Sequence, residues 1–395
     1  MSMIELLFGA IVFTGIFSVI VLRHMFLGKS QLVLLFLTTT LILRFIISVY
    51  NAKFGPLPGA DVDAVDFVAL ASSDYGLVNV GTEAYLAMLG QTFRVLERST
   101  FIASAISLLA VIPYVLFVCW ILERYNAGRN NKVVFLIILL FLPSSLIFHS
   151  VSLREAYMIS GLAIFAYAGC KIIDHGPYPA AVFLAIMGSL VLGYFHKGTL
   201  VIAIANILLL AFMVLRDSKV MSGLIVFAIA IGFISLTTAD FGGRGLEVIV
   251  AMSDGNAVEY TKNYRQSSES LQAGTTYNIN YDANIVTALL KTFVFYVFMP
   301  LPGALPGFTN LYLSFERVIA IIMIISLIRH WPDNSENKEA IKIRFFLGLF
   351  IISSVVWGLG TSNYGTALRH HSTHDFLLIL AAFMAMSFNK KVYLR

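Results

Sequence analysis

Apolar residues gather in long uninterrupted runs along this chain. A membrane-spanning helix needs about 20 mostly apolar residues. Candidate runs lie near 3–22, 32–50, 100–122, 133–150, 156–173, 180–195, 198–215, 220–237, 286–299, 311–328, 343–360 and 375–389. The pattern predicts an all-α fold, a polytopic transmembrane helical bundle of about 11–12 spans, forming a single integral membrane domain over 1–395. The first run, from Ile4 to Leu22, has no basic leader and no clear cleavage site, so a retained helix is expected.

Polar punctuation between the runs sets the orientation. Basic residues concentrate at Arg23–Lys29, Arg124–Lys132, Lys171, Arg216–Lys219, Arg329–Arg344 and Lys390–Arg395. Cytoplasmic loops carry the excess of lysine and arginine. The first four blocks alternate correctly if the N-terminus is outside, and the last two agree only if 286–310 makes no simple crossing. That stretch carries Lys291 near its start and PLPGALPG at its end. Broken backbone at membrane depth is tolerated only inside protein or beside a cavity, so a re-entrant or broken segment is expected there.

The segments left outside are 51–99, 149–155, 196–197, 238–285 and 361–374. Two of them are too long to be plain connectors. The stretches AVDFVALA and TEAYLAMLGQTF predict short amphipathic helices within 61–97.

Composition sharpens this picture. The chain is 58% hydrophobic and only 12% charged, where soluble domains carry roughly 25%. Its net charge of +5 comes from short basic blocks between apolar runs. They are topology signals, and nucleic acid is not an expected partner.

The unusual polar residues fall in the outer segments. In SLREAY, Ser152 and Glu155 fit a capping box at the start of a span. Capping does not explain Arg154, because a cation in the first turn opposes the helix dipole. A helix N-terminus with an arginine suits one phosphate or carboxylate, and His149 lies one turn before it. A salt bridge or a snorkelling side chain is the plainer alternative for Arg154.

In GYFHKGTLV, His196 and Lys197 sit in a turn that opens another span, where an imidazole can move a proton or bind phosphate. In TSNYGTALRHHSTHDF, Arg369, His370, His371 and His374 precede the last span, and Ser372 with Asp375 could form a second cap. His370 and His374 are spaced for a metal on a helix, but no H-E-x-x-H is present, so phosphate or acidic-sugar binding is favoured. Asp61, Asp63 and Asp66 follow a Pro/Gly turn as candidate general bases. A divalent metal at Asp61 and Asp63 is the less favoured use, and no metal or other cofactor is expected. In 238–285, Arg265 adds a basic group among tyrosines.

Basic groups at three outer span ends beside a carboxylate cluster suit a polyanionic leaving group at a membrane surface, such as a polyprenyl pyrophosphate. A nearby carboxylate or imidazole would take the acceptor hydroxyl proton. The chain has no Walker A loop and no Rossmann fingerprint, and a lipid-linked donor needs neither.

Three stretches carry a family resemblance. LPSSLIFHSVSLREAYMISGLAIFAY resembles the arginine-containing central span of Wzy-type and EpsG-like polysaccharide polymerases. GYFHKGTLVIAI resembles a phenylalanine–histidine turn of the EpsG-like group. GADVDAVDFVALA resembles the acidic first-loop motif of the GT-C membrane glycosyltransferases. Here that motif follows the second apparent span, whereas in many GT-C enzymes it follows the first. The resemblance implies a bacterial inner-membrane enzyme acting on the outer face. It would join glycan repeat units carried on undecaprenyl pyrophosphate, with a lipid-linked donor and acceptor and a chain-length regulator as a partner. It places Arg154, His196 and Arg369 in the site. Transfer of a single sugar, a lipid-linked glycan transporter or flippase, and an acyltransferase remain the competing expectations.

Overall fold

A computed structural model describes residues 2–27, 31–55, 57, 60–72, 80–124, 129–214, 259, 285–299, 308–332, 337–361 and 364–392. Among them the regular structure is helical. In chain order the helices are α1 (Met3–Leu27), α2 (Gln31–Phe54), α3 (Asp61–Leu70), α4 (Thr82–Val95), α5 (Thr100–Arg124), α6 (Arg129–Phe141) and α7 (Pro143–Phe148). Then come α8 (Glu155–His175), α9 (Pro179–Tyr194), α10 (Lys197–Val214), α11 (Ile285–Phe298), α12 (Phe308–Arg329), α13 (Lys338–Gly360) and α14 (Tyr364–Val392). The expected span at 220–237, nearly all of loop 238–285 with Arg265, and the PLPGALPG stretch lie outside the described residues.

Four helices are long and apolar enough to cross a membrane: Leu34–Phe54, Thr100–Ile121, Glu155–His175 and Lys338–Leu359. Shorter apolar helices cover Met3–Ser18, Pro179–Tyr194 and Gly198–Met213. Their outward faces carry large apolar side chains, with Phe212 75% and Phe183 61% exposed. Soluble monomers rarely show apolar surface on this scale.

The centre of the bundle is α14. Every residue from Ala367 to Ala385 is buried, so no face of this helix meets solvent, although its first half carries Arg369, His370, His371, His374 and Asp375. The sequence pattern places these residues in a loop before a span at 375–389, with Ser372 and Asp375 as a cap. In the structure the helix already begins at Tyr364, and Ser372 donates instead to Arg369 O at 2.6 Å. The expected span 133–150 is also different. Pro143 has no N–H to give, and the chain breaks into α6 and α7 around Leu142.

Helix contacts are specific. Helices α8 and α9 cross at Gly161 and Gly188. A Cβ on Gly161 would lie 2.7 Å from Leu192 N, and one on Gly188 2.7 Å from Gly161 O. Small residues at such a crossing let two backbones touch. Pro113 interrupts α5, and Ser160 of α8 enters the gap. Its hydroxyl accepts from Tyr114 N at 3.3 Å and donates to Ala110 O, so an interrupted helix turn stays satisfied.

At one end of the bundle Lys342 of α13 pairs with Asp174 of α8 at 2.7 Å, and Lys338 donates to Asp174 O. At the other end α3 and α4, the short helices expected in 61–97, form a lid. Phe67, Val68, Tyr85 and Leu89 pack on Phe148, Val151, Leu153, Phe195 and Leu368. This lid lies over the candidate site.

Candidate functional site

Four chain segments converge beneath α3 and α4: the start of α8, the turn of His196, the end of α13 and the first half of α14. Arg154 is the residue preceding the first turn of α8 and makes no side-chain cap. Its Nη1 donates to Thr82 Oγ1 at 2.8 Å and to Phe195 O at 3.4 Å, and its guanidinium lies 5.2 Å from the Phe67 ring centre. Its Nε is buried and bonds to no described residue. A buried donor without a partner asks for an explanation, and an anion in the site would provide one. Thr82 opens α4 after Gly81, whose φ of 80° suits glycine. Gly81 N donates to Tyr194 O at 2.7 Å. That bond joins the lid to the turn holding His196.

The expected capping box at Ser152 and Glu155 does not form. Ser152 donates to Ala64 O at 2.6 Å, which fixes α3. Glu155, 1% exposed, faces α14, and its Oε1 lies 2.9 Å from Arg369 Nε. Arg369 also pairs through Nη1 with Asp63 of α3. Burial would raise the Asp63 carboxyl, but the charge and hydrogen bond of Arg369 outweigh it and hold it below the usual carboxylate range.

His196 packs edge-on against Trp357 at 4.8 Å and lies 6.2 Å from the His370 ring. Trp357 stacks on His370 at 3.6 Å, and Thr361 Oγ1 is 3.1 Å from His370 Nδ1. Burial, with Arg154 and Arg369 nearby, pushes the His196 imidazole well below its ordinary value. The ring is therefore neutral at neutral pH. Its Nδ1 accepts from Gly198 N at 3.1 Å, which leaves the proton on Nε2. In this geometry His196 is a hydrogen-bond donor with its basic lone pair occupied.

Several expected site residues lie elsewhere. His149 is fully buried at the end of α7, beside Ser145 and Tyr114, and is not beside Arg154. Asp66 is exposed, on the surface of α3. The side chains of Asp61 and Lys197 lie outside the described set.

His371 and His374 face a second, deeper cluster that the sequence pattern does not reveal. Its hub is Arg317 of α12, 0% exposed, paired with Asp375. Arg317 also donates to Val297 O at 3.2 Å and approaches His371 Nδ1 at 3.2 Å. His371 Nε2 lies 2.8 Å from Tyr296 O, and the two rings stack at 4.1 Å. Glu316, also buried, accepts from Ser144 N. Arg317 and Glu316 sit in an apolar run, and only their depth marks them.

One group of possible ligand atoms, from His371, His374 and Asp375, lies within 4.8 Å of one another. The nitrogens are already engaged. His374 uses Nδ1 toward His370 O and Nε2 toward Ser354, and Asp375 is held by Arg317. A cation there would sit against a guanidinium, so the donor set does not suit a metal.

No protein-family model, no curated protein and no solved structure matches this chain.

Proposed function

We propose that this chain is a membrane glycosyltransferase of the polysaccharide-polymerase kind. It takes a glycan from a polyprenyl pyrophosphate and gives it to a hydroxyl of a second lipid-linked glycan. The observation that carries this reading is the meeting of Arg154, Arg369, His196 and Asp63 from four distant parts of the chain at one end of an apolar bundle. The guanidinium of Arg154, whose buried Nε bonds to no described residue, and the imidazole N–H of His196 suit a pyrophosphate. The site belongs to the end with α3, α4 and the 149–155 turn, which the positive-inside rule puts on the outer face; the resemblance to polysaccharide polymerases implies that the membrane is a bacterial inner membrane.

In the proposed step the acceptor oxygen bonds to the anomeric carbon as the bond from that carbon to the phosphate oxygen breaks. The electron pair leaves with the pyrophosphate. Arg154 and the His196 Nε2–H stabilise the charge gathering there. The hydroxyl proton goes to Asp63, the ionised carboxylate of this site with free exposure. Arg369 aligns Asp63, and buried Glu155 holds Arg369. His196 is thus assigned to the leaving group and Asp63 to the base.

The test is incubation of the purified protein with a lipid-linked oligosaccharide donor and acceptor, with product length read on a gel. Wild type should lengthen the glycan. Arg154→Ala should lose about 100-fold in rate, the scale of removing one oxyanion donor. No lengthening by wild type, or unchanged rates in both Arg154→Ala and Asp63→Asn, would sink the proposal.

A transporter for a lipid-linked glycan is the second reading, and the buried Arg317–Asp375–His371 cluster favours it. Ionisable groups inside a membrane commonly mark substrate or proton paths. Movement of an intact lipid-linked glycan across reconstituted vesicles, without a new glycosidic bond, would select that reading.

A further inference from the structure

An apolar cleft runs between α1, α2, α5 and α6. Its wall includes Leu37, Leu41, Val111, Ile112, Val115 and Leu116, and Arg44 lines it as well. Ile112, Val115 and Leu116 are only half-buried, so the cleft reaches the lateral surface of the bundle.

Arg44 is 3% exposed. Its Nη1 donates to Ser145 O at 2.6 Å and its Nη2 to Ser145 Oγ at 2.9 Å. No described carboxylate pairs with it, unlike Arg317 and Arg369. A guanidinium offers five donors in a rigid fork, and those on Arg44 not used by Ser145 bond to no described residue. Nearby His149 is fully buried, and its Nε2 has no partner. Arg44 lies ten residues before the end of α2, about 15 Å along the helix, and so near the middle of a span. A buried cation at that depth is costly without a counter-charge.

We infer that this cleft is a lateral binding site for a single-chain anionic amphiphile, whose apolar chain lies along α2 and α5 and whose carboxylate or phosphate pairs with Arg44. Two features select that occupant. The walls are apolar, so a small hydrophilic anion would leave them unfilled. Arg44 brings a cation to the lining and pairs with no described carboxylate, so an uncharged chain would leave it without a counter-charge. A cleft walled by four helices also favours one narrow chain over a two-chain phospholipid. The inference does not depend on glycan transfer.

The test uses the full-length purified protein in nanodiscs of phosphatidylcholine. Three fluorescent 16-carbon probes are titrated: a fatty acid, an alkyl phosphate and the matching alcohol. The inference expects saturable binding of at least one anion, about tenfold tighter than the alcohol, as one charge-assisted contact gives. Whichever anion binds tighter identifies the end group. Arg44→Gln should remove the preference for the anion, and Leu41→Trp should weaken all three probes by filling the cleft. Asp66→Asn, on the exposed surface of α3, should leave binding unchanged. If Arg44→Gln does not fold, the comparison of probes on wild type still decides. Equal affinity for alcohol and anions, or no saturable binding, would overturn the inference and leave Arg44 as a tie between α2 and α7.

Discussion

Glu155 Oε1 and Arg369 Nε lie 2.9 Å apart, the first at the opening of α8 and the second near the opening of α14. Glu155 is buried and Arg369 almost so. The pair therefore fixes the relative position of two central helices, and Arg369 passes that order on to Asp63. Removing one partner of a buried pair leaves a charge uncompensated, at about 3–5 kcal/mol. Glu155→Gln should lower the unfolding temperature of the purified protein sharply, and so should Arg369→Met. The double variant should lose clearly less than the sum, since it leaves no buried orphan charge and the one carboxylate it unpairs, Asp63, is 43% exposed. Strict additivity would mean that the pair is not coupled.

The α8–α9 crossing makes a second, purely steric prediction. Gly161→Ala would place a methyl 2.7 Å from Leu192 N and 2.8 Å from Gly188 O, against backbone that cannot rotate away. Overpacking of this kind costs about 1–3 kcal/mol. Gly15→Ala is the control, because nothing lies within 4 Å of its new Cβ. In α1 it should be neutral or stabilising, as alanine favours a helix by about 0.5–1 kcal/mol over glycine. Leu192 and Gly193 lead directly into the turn of His196, so Gly161→Ala should lower activity as well as stability. Equal melting temperatures for both variants would refute the close crossing.

The apolar runs named most helices because a span is a property of one segment. They also placed the short helices α3 and α4, whose patterning is local. Three site residues, Arg154, His196 and Arg369, were marked by charge in an apolar context. Their partners were not legible. That Glu155 faces Arg369 rather than its own helix cap depends on how α8 meets α14. The local capping pattern at Ser152 is outcompeted by a bond to Ala64 across the lid. His370 and His371 are neighbours in sequence, yet a helix turns them about 100° apart. One therefore reaches Trp357 and the other Tyr296. Arg317 was hidden because the adjacent Glu316–Arg317 in an apolar run shows no long-range partner until α12, α11 and α14 are assembled.

His196 gives a pH prediction whose sign follows from its environment. Burial, Arg154 and Arg369 all disfavour its charged form in the folded protein, and His370 faces it from α14. The unfolded imidazole titrates near 6.5. Above that pH both states are neutral and the group contributes nothing to pH dependence. As pH falls below about 6.5, the unfolded chain takes up a proton that the folded site refuses, so stability declines toward the depressed folded value. His196→Asn should therefore flatten the loss of stability between about pH 6.5 and pH 5. The measurement is the unfolding temperature of wild type and variant across that range. Parallel curves would show that His196 titrates normally in the fold.

Arg317 closes the deeper cluster and the last turn of α11 together. Helix ends leave four carbonyls without intrahelical partners, and here Val297 O receives Arg317 while Tyr296 O receives His371. The described part of α11 covers Ile285 to Phe298, and its C-terminal carbonyls are satisfied inside the protein. Arg317 supplies both the donor and the counter-charge for Asp375. Arg317→Met should cost about 3–5 kcal/mol by stranding Asp375. Adding Asp375→Asn should restore part of the stability, because the carboxylate no longer needs a partner. The carbonyl of Val297 stays unpaired in both variants. Amide exchange in the last turn of α11 should therefore remain faster than wild type even in the rescued double variant. Exchange restored to the wild-type rate would show that Asp375, and not the helix end, is what Arg317 serves.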